Sequence, residues 1–309
     1  MSDTSPGAAM KHAGRLRRKN WELFFAALPL MFLVLVFSYV PLGGWVISLF
    51  EYRPGKALLD CQFIGLKYFK MFLTDRDVLR VLTNTVIFSG IGFLLSPLPM
   101  VFAICLNEIG VSRFKKVFQT MTTLPNFISM IIVYSLAFAM FSSEGLFNSL
   151  FALRGAGFQV DLLTNKDLVY VFQTFITNWK NLGWSAIIYI AAIAGIDQEL
   201  YEAAQIDGAG RMRCTWHITV PGVMPTFIVL LLISTANFIN TGFQQYFVFQ
   251  NPVVYNRIEV LDLYIYKMGL KLGDYPYATA VGILKSMVSI ALLTMANLLA
   301  KRLRGSSIF

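Results

Sequence analysis

Charge is what this 309-residue chain has least of: Asp, Glu, Lys and Arg together make up 14% of it, against roughly 25% in an average soluble protein. A soluble fold of that length has to cover its outside with more polar side chains than this. Cysteine is scarce too. Cys61, Cys105 and Cys214 are odd in number, widely spaced and never form a CxxC pair, which argues against a disulfide framework and a cysteine zinc site. With His12 and His217 as the only histidines, a histidine-based metal site is not expected either. No GxxxxGK[ST] occurs, so the glycine-rich phosphate cradle and its lysine are missing. Carboxylate pairs, HExxH and a Ser/His/Asp arrangement are likewise absent from the apolar runs, which leaves a membrane-embedded enzyme without support.

What is present is apolar. Hydrophobic residues are 56% of the chain and Phe alone occurs 27 times, with a mean hydropathy of +0.61. Lipid, not water, is the expected main solvent. The net charge of +9 then reads as basic residues collected at the cytoplasmic ends of membrane spans, with no nucleic-acid partner implied. A basic stretch (Lys11, Arg15, Arg17, Arg18, Lys19) precedes an apolar run from Leu23 to Phe50. That run is far longer than the roughly 7–15 residues of a signal-peptide core and is expected to stay in the membrane as an anchor. The organisation expected is a basic cytoplasmic tail over 1–20 and one transmembrane domain over 21–309.

A helix needs about 20 mostly apolar residues to cross a bilayer. Six runs meet that length: Leu23–Phe50, Val81–Leu106, Val117–Phe141, Leu168–Ile196, Gly222–Val248 and Ala278–Ala300. Pro29, Pro41, Pro97, Pro99 and Pro125 fall inside them, and each frees a carbonyl that a neighbouring helix or a water has to satisfy. The fold expected is therefore an all-α membrane protein of six packed, kinked transmembrane helices. An even number of spans with two basic ends places both termini on the cytoplasmic side. No span holds Asp or Glu, whereas Lys180 and Lys285 each sit inside one. The missing carboxylates weigh against an ion-coupled carrier.

Between the fourth and fifth runs lies a polar segment, residues 197–221. Gln198 to Ile206 favours a short helix, Asp207-Gly208 a sharp stop, and Gly210 to about Ile218 a second short helix that Pro221 ends. The product is a helix–turn–helix at the cytoplasmic surface, with Ala203 and Ala204 as a low-relief patch beside the charge of Glu202.

Glu202-Ala203-Ala204, Gly208, Ile218 and Pro221 match in spacing the EAA loop of binding-protein-dependent ABC transporter permeases of the MetI-like fold. Val220 stands where that pattern has Leu, a mild apolar swap. The wider chain resembles the oligosaccharide and polysaccharide branch, the maltose-permease-like and LplB-like group. The passages that carry this are Tyr39-Val-Pro-Leu-Gly-Gly44, Gly65-Leu-Lys-Tyr-Phe69, Asn84-Thr85, Leu124-Pro-Asn-Phe-Ile-Ser129, Trp179-Lys-Asn-Leu-Gly-Trp184, Ala191-Ala-Ile-Ala-Gly-Ile-Asp197, Leu200-Tyr-Glu-Ala-Ala204 and Arg304-Gly-Ser-Ser-Ile-Phe309. The resemblance implies a transport subunit in a bacterial inner membrane. Its partners would be a second, different permease subunit, two ATPase subunits holding ATP and Mg, an external solute-binding protein and a sugar ligand. Glu202, Ala203, Ala204, Asp207, Gly208, Ile218 and Pro221 would form the contact through which the ATPases drive a rigid-body switch.

A sugar path needs hydroxyl-matching amides and aromatic faces. Asn126, Asn178, Trp179, Lys180, Asn237, Asn240, Thr241 and Gln244 are the candidates, and the spacing of Asn237, Asn240, Thr241 and Gln244 puts them on one helical face. Two readings stay open for them: lining a path, or stitching helices together by hydrogen bonds. Lys180 and Lys285 either face a wet cavity that attracts acidic sugars or pair with carbonyls. Also open at this level are a stand-alone carrier or channel and a permease for a solute other than a sugar.

Overall fold

The structure, a computed structural model, describes residue 21 and residues 24–153 and 161–304. The basic tail and the end of the Arg304–Phe309 motif lie outside the described residues. Among those described, the regular secondary structure is helical apart from one isolated antiparallel bridge, Phe50 to Phe63.

The chain opens with α1, Phe24–Leu49. Pro41 cannot donate a backbone hydrogen bond, and around it the helix loosens into a π turn at Leu35–Tyr39 and tightens into 3-10 geometry over Val40–Leu49. Side chains along α1 are almost all exposed, Phe37 by 74% and Phe32 by 64%, which is ordinary for a helix solvated by lipid.

Short α2 (Lys67–Thr74) leads into α3 (Arg76–Leu94) and α4 (Leu98–Asn107). Asp75 caps α3 by accepting from the Asp77 N–H at 2.9 Å. Pro97 marks the break between α3 and α4, because the residue before a proline leaves helical geometry easily. Next come α5 (Ser112–Thr123) and α6 (Met130–Phe141), with the Leu124–Phe127 turn between them. The expected single span Val117–Phe141 is thus two helices: Pro125 breaks it, and Ser129 caps α6 by accepting from the Ile132 N–H. α7 covers Leu146–Leu153 and α8 Val169–Ala194.

After α8 come α9 (Gln198–Ile206), α10 (Arg211–Cys214), a π turn at Thr215–Thr219 and α11 (Val220–Ala236). Here the expectation that Pro221 ends the second arm is corrected. The rod runs on from Arg211 to Ala236, because the π turn widens the helix just where the proline ring enters it. The fifth expected span, Gly222–Val248, is also corrected: the helix stops at Ala236, and a non-helical stretch precedes α12 (Gln244–Phe249). Two short helices, α13 (Tyr255–Ile258) and α14 (Leu261–Tyr266), precede the long α15 (Tyr275–Arg304).

Among the described residues, five stretches are long and apolar enough to cross a membrane: Phe24–Leu49, Arg76–Asn107, Met130–Leu150, Arg211–Ala236 and Tyr275–Leu298. α8, at 26 residues, has the length but not the hydropathy, since Gln173, Thr174, Thr177, Asn178, Lys180 and Asn181 fill its first half. It is nevertheless the central staff. Its Phe172 and Ile176 pack with Phe88, Val133, Tyr246 and Phe249, and its Ala186, Tyr189 and Ile193 pack with Met100 and Ala103 of α4 and Val223 of α11. A third core joins Val78 and Val81 of α3 to Leu261, Tyr264, Tyr277 and Val281.

Candidate functional site

The polar hairpin forms from local chemistry. Asp197 caps α9 by accepting from the Glu199 N–H at 3.0 Å. At the other end the Ala209 N–H reaches the Ala204 carbonyl at 2.8 Å and the Gly208 N–H the Gln205 carbonyl at 3.0 Å, a Schellman closure. Gly208 takes φ +76°, the left-handed conformation this closure requires and that a side chain disfavours.

Two further contacts brace the hairpin. The Tyr201 hydroxyl meets the Thr219 hydroxyl at 2.9 Å, joining its arms. Arg211 pairs with the Glu108 carboxylate at 3.3 Å and donates to the Glu108 carbonyl at 2.6 Å, and Thr215 donates to the same carboxylate at 3.1 Å. Glu108 follows the last residue of α4, so the guanidinium also sits at the negative end of that helix. A cavity of about 620 Å³ lies behind the hairpin, bordered by Asn107, Tyr201, Gln205 and Cys214.

On its outer side the hairpin is bare. Glu202, Ala203, Asp207, Gly208 and Pro221 are exposed, and Ala204 and Ile218 half-buried. Ile206 is 87% and Met212 71% exposed, with Trp216 and Leu200 also open. Such an apolar edge on a polar segment suits a protein partner.

A second cavity, of about 680 Å³, opens between α3, α8 and the break after α11, and Lys180, Asn237, Asn240, Thr241 and Gln244 all line it, with Ser89, Asn181, Phe243 and Tyr246. The helical face expected from their spacing does not exist, since Asn237 follows the last turn of α11. The break itself turns these residues inward. Asn126, Asn178 and Trp179 are not among the lining residues. The Asn126 amide donates to the Asn181 side chain at 3.0 Å and that of Asn178 to the Thr174 carbonyl at 2.9 Å. Trp179 borders a separate, apolar cavity of about 160 Å³.

Lys180 spends all three of its donors on backbone. Its ammonium reaches the carbonyls of Pro125, Asn126 and Ile128 at 3.0, 2.7 and 2.6 Å, in the turn where Pro125 interrupts the helix and where the Pro125 carbonyl also accepts the Ile128 N–H at 3.2 Å. One turn on, Gly183 lies so close to α5 that a Cβ would stand 2.2 Å from the Thr122 carbonyl oxygen. Lys180 and Gly183 together seat α8 in the α5–α6 break. Lys285 is also engaged, in an ion pair with Asp262.

Among the described residues the most deeply buried charged side chain is that of Glu259, 1% exposed. It accepts from Arg80 at 3.0 Å, from Lys267 at 2.8 Å and from the Tyr255 hydroxyl at 3.2 Å. Burial, reinforced by the Glu259 charge, holds the Tyr255 phenol above its ordinary pKa. Asn84 of α3 completes the knot by donating to the Asn256 and Glu259 carbonyls and accepting from the Tyr170 hydroxyl at 2.7 Å.

The family described as "Binding-protein-dependent transport system inner membrane component" matches residues 20–305. The chain belongs to that family. This permease is similar to Protein LplB of Bacillus subtilis (strain 168), 35% identical over 98% of this chain and 95% of the relative. It is also similar to the Polygalacturonan/rhamnogalacturonan transport system permease protein YteP of the same organism, 36% identical over 93% and 90%. Among solved structures, the crystal structure of a bacterial ABC transporter involved in the import of the acidic polysaccharide alginate superimposes with a TM-score of 0.85 at 30% identity, covering 95% of this chain and 99% of that one. The alginate transporter in complex with its alginate pentasaccharide-bound periplasmic protein matches equally, at a TM-score of 0.85.

Sequence reasoning about this permease missed Glu259 and Asp262. Both fall between apolar runs, in a stretch that reads as an external loop, and nothing local says that the loop folds back against α3 and α15. Gln173 and Gln245 were visible only as polar residues in apolar runs. The structure pairs their amides at 2.8 Å and adds Thr177 at 2.9 Å from Gln245.

Proposed function

We propose that this permease is a transmembrane subunit of an ABC importer for oligosaccharides or polysaccharide fragments, working by alternating access. In this reading α8 is the sixth crossing helix, its polar residues facing the other helices, and both termini are cytoplasmic. A second permease subunit pairs with it, and an external binding protein delivers the sugar. ATP and Mg are held by two partner ATPases.

The observation that carries the proposal is the hairpin: a glycine-closed turn with a bare apolar edge at Ile206 and Met212 beside Glu202 and Ala203, braced from behind onto α4 by Arg211 and Glu108. A partner gripping that edge moves α4, α8 and α11 as one packed block, since the three share a core. Nucleotide hydrolysis belongs to the partner because the chain has no phosphate cradle. Sugar as cargo is supported by the names of the relatives and by the amides and aromatic rings around the 680 Å³ cavity.

The test is ATP-driven uptake and sugar-stimulated ATPase activity of the reconstituted complex carrying Glu202→Lys or Gly208→Pro. Uncoupling in both is expected. Wild-type coupling in both overturns the reading.

A further inference from the structure

We infer that Asp262 is a positioning residue for the cavity wall, holding the turn that carries Thr241 while Lys285 holds Asp262. The inference rests on the cavity being the transport path, and the argument starts from one carboxylate serving two elements. One oxygen of Asp262 pairs with the Lys285 ammonium on α15, and the other accepts the Gly242 N–H at 2.8 Å. Both charged side chains are largely buried, at 15% and 16% exposure, so solvent screens the pair little and removing one partner strands the other.

What the carboxylate holds is the non-helical stretch after α11. Gly242 takes φ +76° there, and Asn240 adds a weak contact to Ser289 of α15 at 3.4 Å. Ser289 lies one turn beyond Lys285, so a single face of α15 braces the turn twice. Immediately before Gly242 stands Thr241, whose hydroxyl is buried and has no hydrogen-bond partner among the described residues; Ser89, across the same cavity, is in the same position. A buried hydroxyl without a partner is costly, and left to itself the turn would rotate Thr241 toward an acceptor. The Asp262 anchor prevents this and holds Thr241 in the cavity wall.

The experiment measures the modification rate of T241C by a methanethiosulfonate reagent in the assembled transporter. The native cysteines are replaced (C61S, C105S, C214A), and L59C, on an exposed loop, serves as the reference site. D262A is expected to raise the T241C rate about fivefold or more by freeing the turn, with L59C unchanged. D262N keeps an acceptor for the Gly242 N–H and should raise it less. The swap D262K/K285D restores an ion pair but offers Gly242 no acceptor, so the rate should stay high.

Unchanged T241C rates in D262A overturn the proposal, as does full restoration by the swap. Where D262A fails to accumulate in the membrane, K285M poses the same question, and an unchanged rate in it also counts against the proposal. The labelling needs neither ATP nor sugar, so its failure would leave the transport reading standing, and an uncoupled transporter would leave the labelling result intact.

Discussion

The α9–α10 hairpin and the cavity wall are both polar interruptions of an apolar chain, yet they are built in opposite ways. Every bond that shapes the α9 turn joins residues within a few positions of one another: Asp197 to Glu199, Ala204 to Ala209, Gln205 to Gly208. The cavity wall depends on residues far apart in the chain, with Lys180 reaching the Pro125 turn, Gln245 reaching Gln173 and Asp262 reaching Lys285. A locally closed hairpin keeps its shape when pushed, which suits the coupling role proposed for it. A wall tied by distant pairs can change shape when the helices carrying those pairs move apart.

The sharpest way to break this contrast is Gly208→Pro. Proline cannot adopt the φ of +76° found there, and the distant contacts Tyr201–Thr219 and Arg211–Glu108 brace the arms without closing the turn. ATP-driven uptake should drop by about tenfold or more, while the melting temperature of the solubilised chain changes little. A large loss of melting temperature would mean that the hairpin is not a local unit.

Next in size is Glu259→Ala, which leaves the largely buried Lys267 ammonium without its carboxylate and beside Arg80. A destabilisation of about 3–5 kcal/mol is expected, read as a lowered midpoint of thermal unfolding. Charge-neutral Glu259→Gln should lie between it and the parent.

Lys180→Met probes the wall itself. It strands the carbonyls of Asn126 and Ile128, while that of Pro125 keeps the Ile128 N–H, at a cost of about 1–3 kcal/mol. If Lys180 instead serves mainly to attract an anionic ligand, stability should hold while the KM for an acidic sugar rises.

The smallest effect is expected from Arg211→Lys. The Arg211 side chain is 75% exposed, and an exposed pair is worth under about 1 kcal/mol. The sugar-stimulated ATPase rate should fall slightly and more visibly at low salt, where the native pair is screened least.

These regions also differ in how far they could be read beforehand. Asp197 as a cap, Gly208 as a stop and the bounds of α9 follow from residue types alone, because short-range hydrogen bonding fixes them. Pro97 and Pro125 read only as kinks within single spans, whereas each ends one helix and starts another. The fifth apolar run misled: Asn237, Asn240, Thr241 and Gln244 have helical spacing, and spacing does not reveal that the chain leaves the helix at Ala236. Pro221 misled in the other direction, since a π turn absorbed it. Asp262 and Glu259 were passed over because their partners Lys285, Arg80 and Lys267 come from other elements.

The sequence by itself determined the solvent, the class of fold and the hairpin. Apolar content, run length and local turn chemistry are sums over neighbouring residues, and they do not depend on how the helices pack. Only the tertiary structure decided which polar groups inside the bundle face a cavity and which are spent on one another. A buried hydrogen bond is set by where two distant elements come to rest, and Lys180 looks the same in the sequence whether it meets a ligand or three backbone carbonyls.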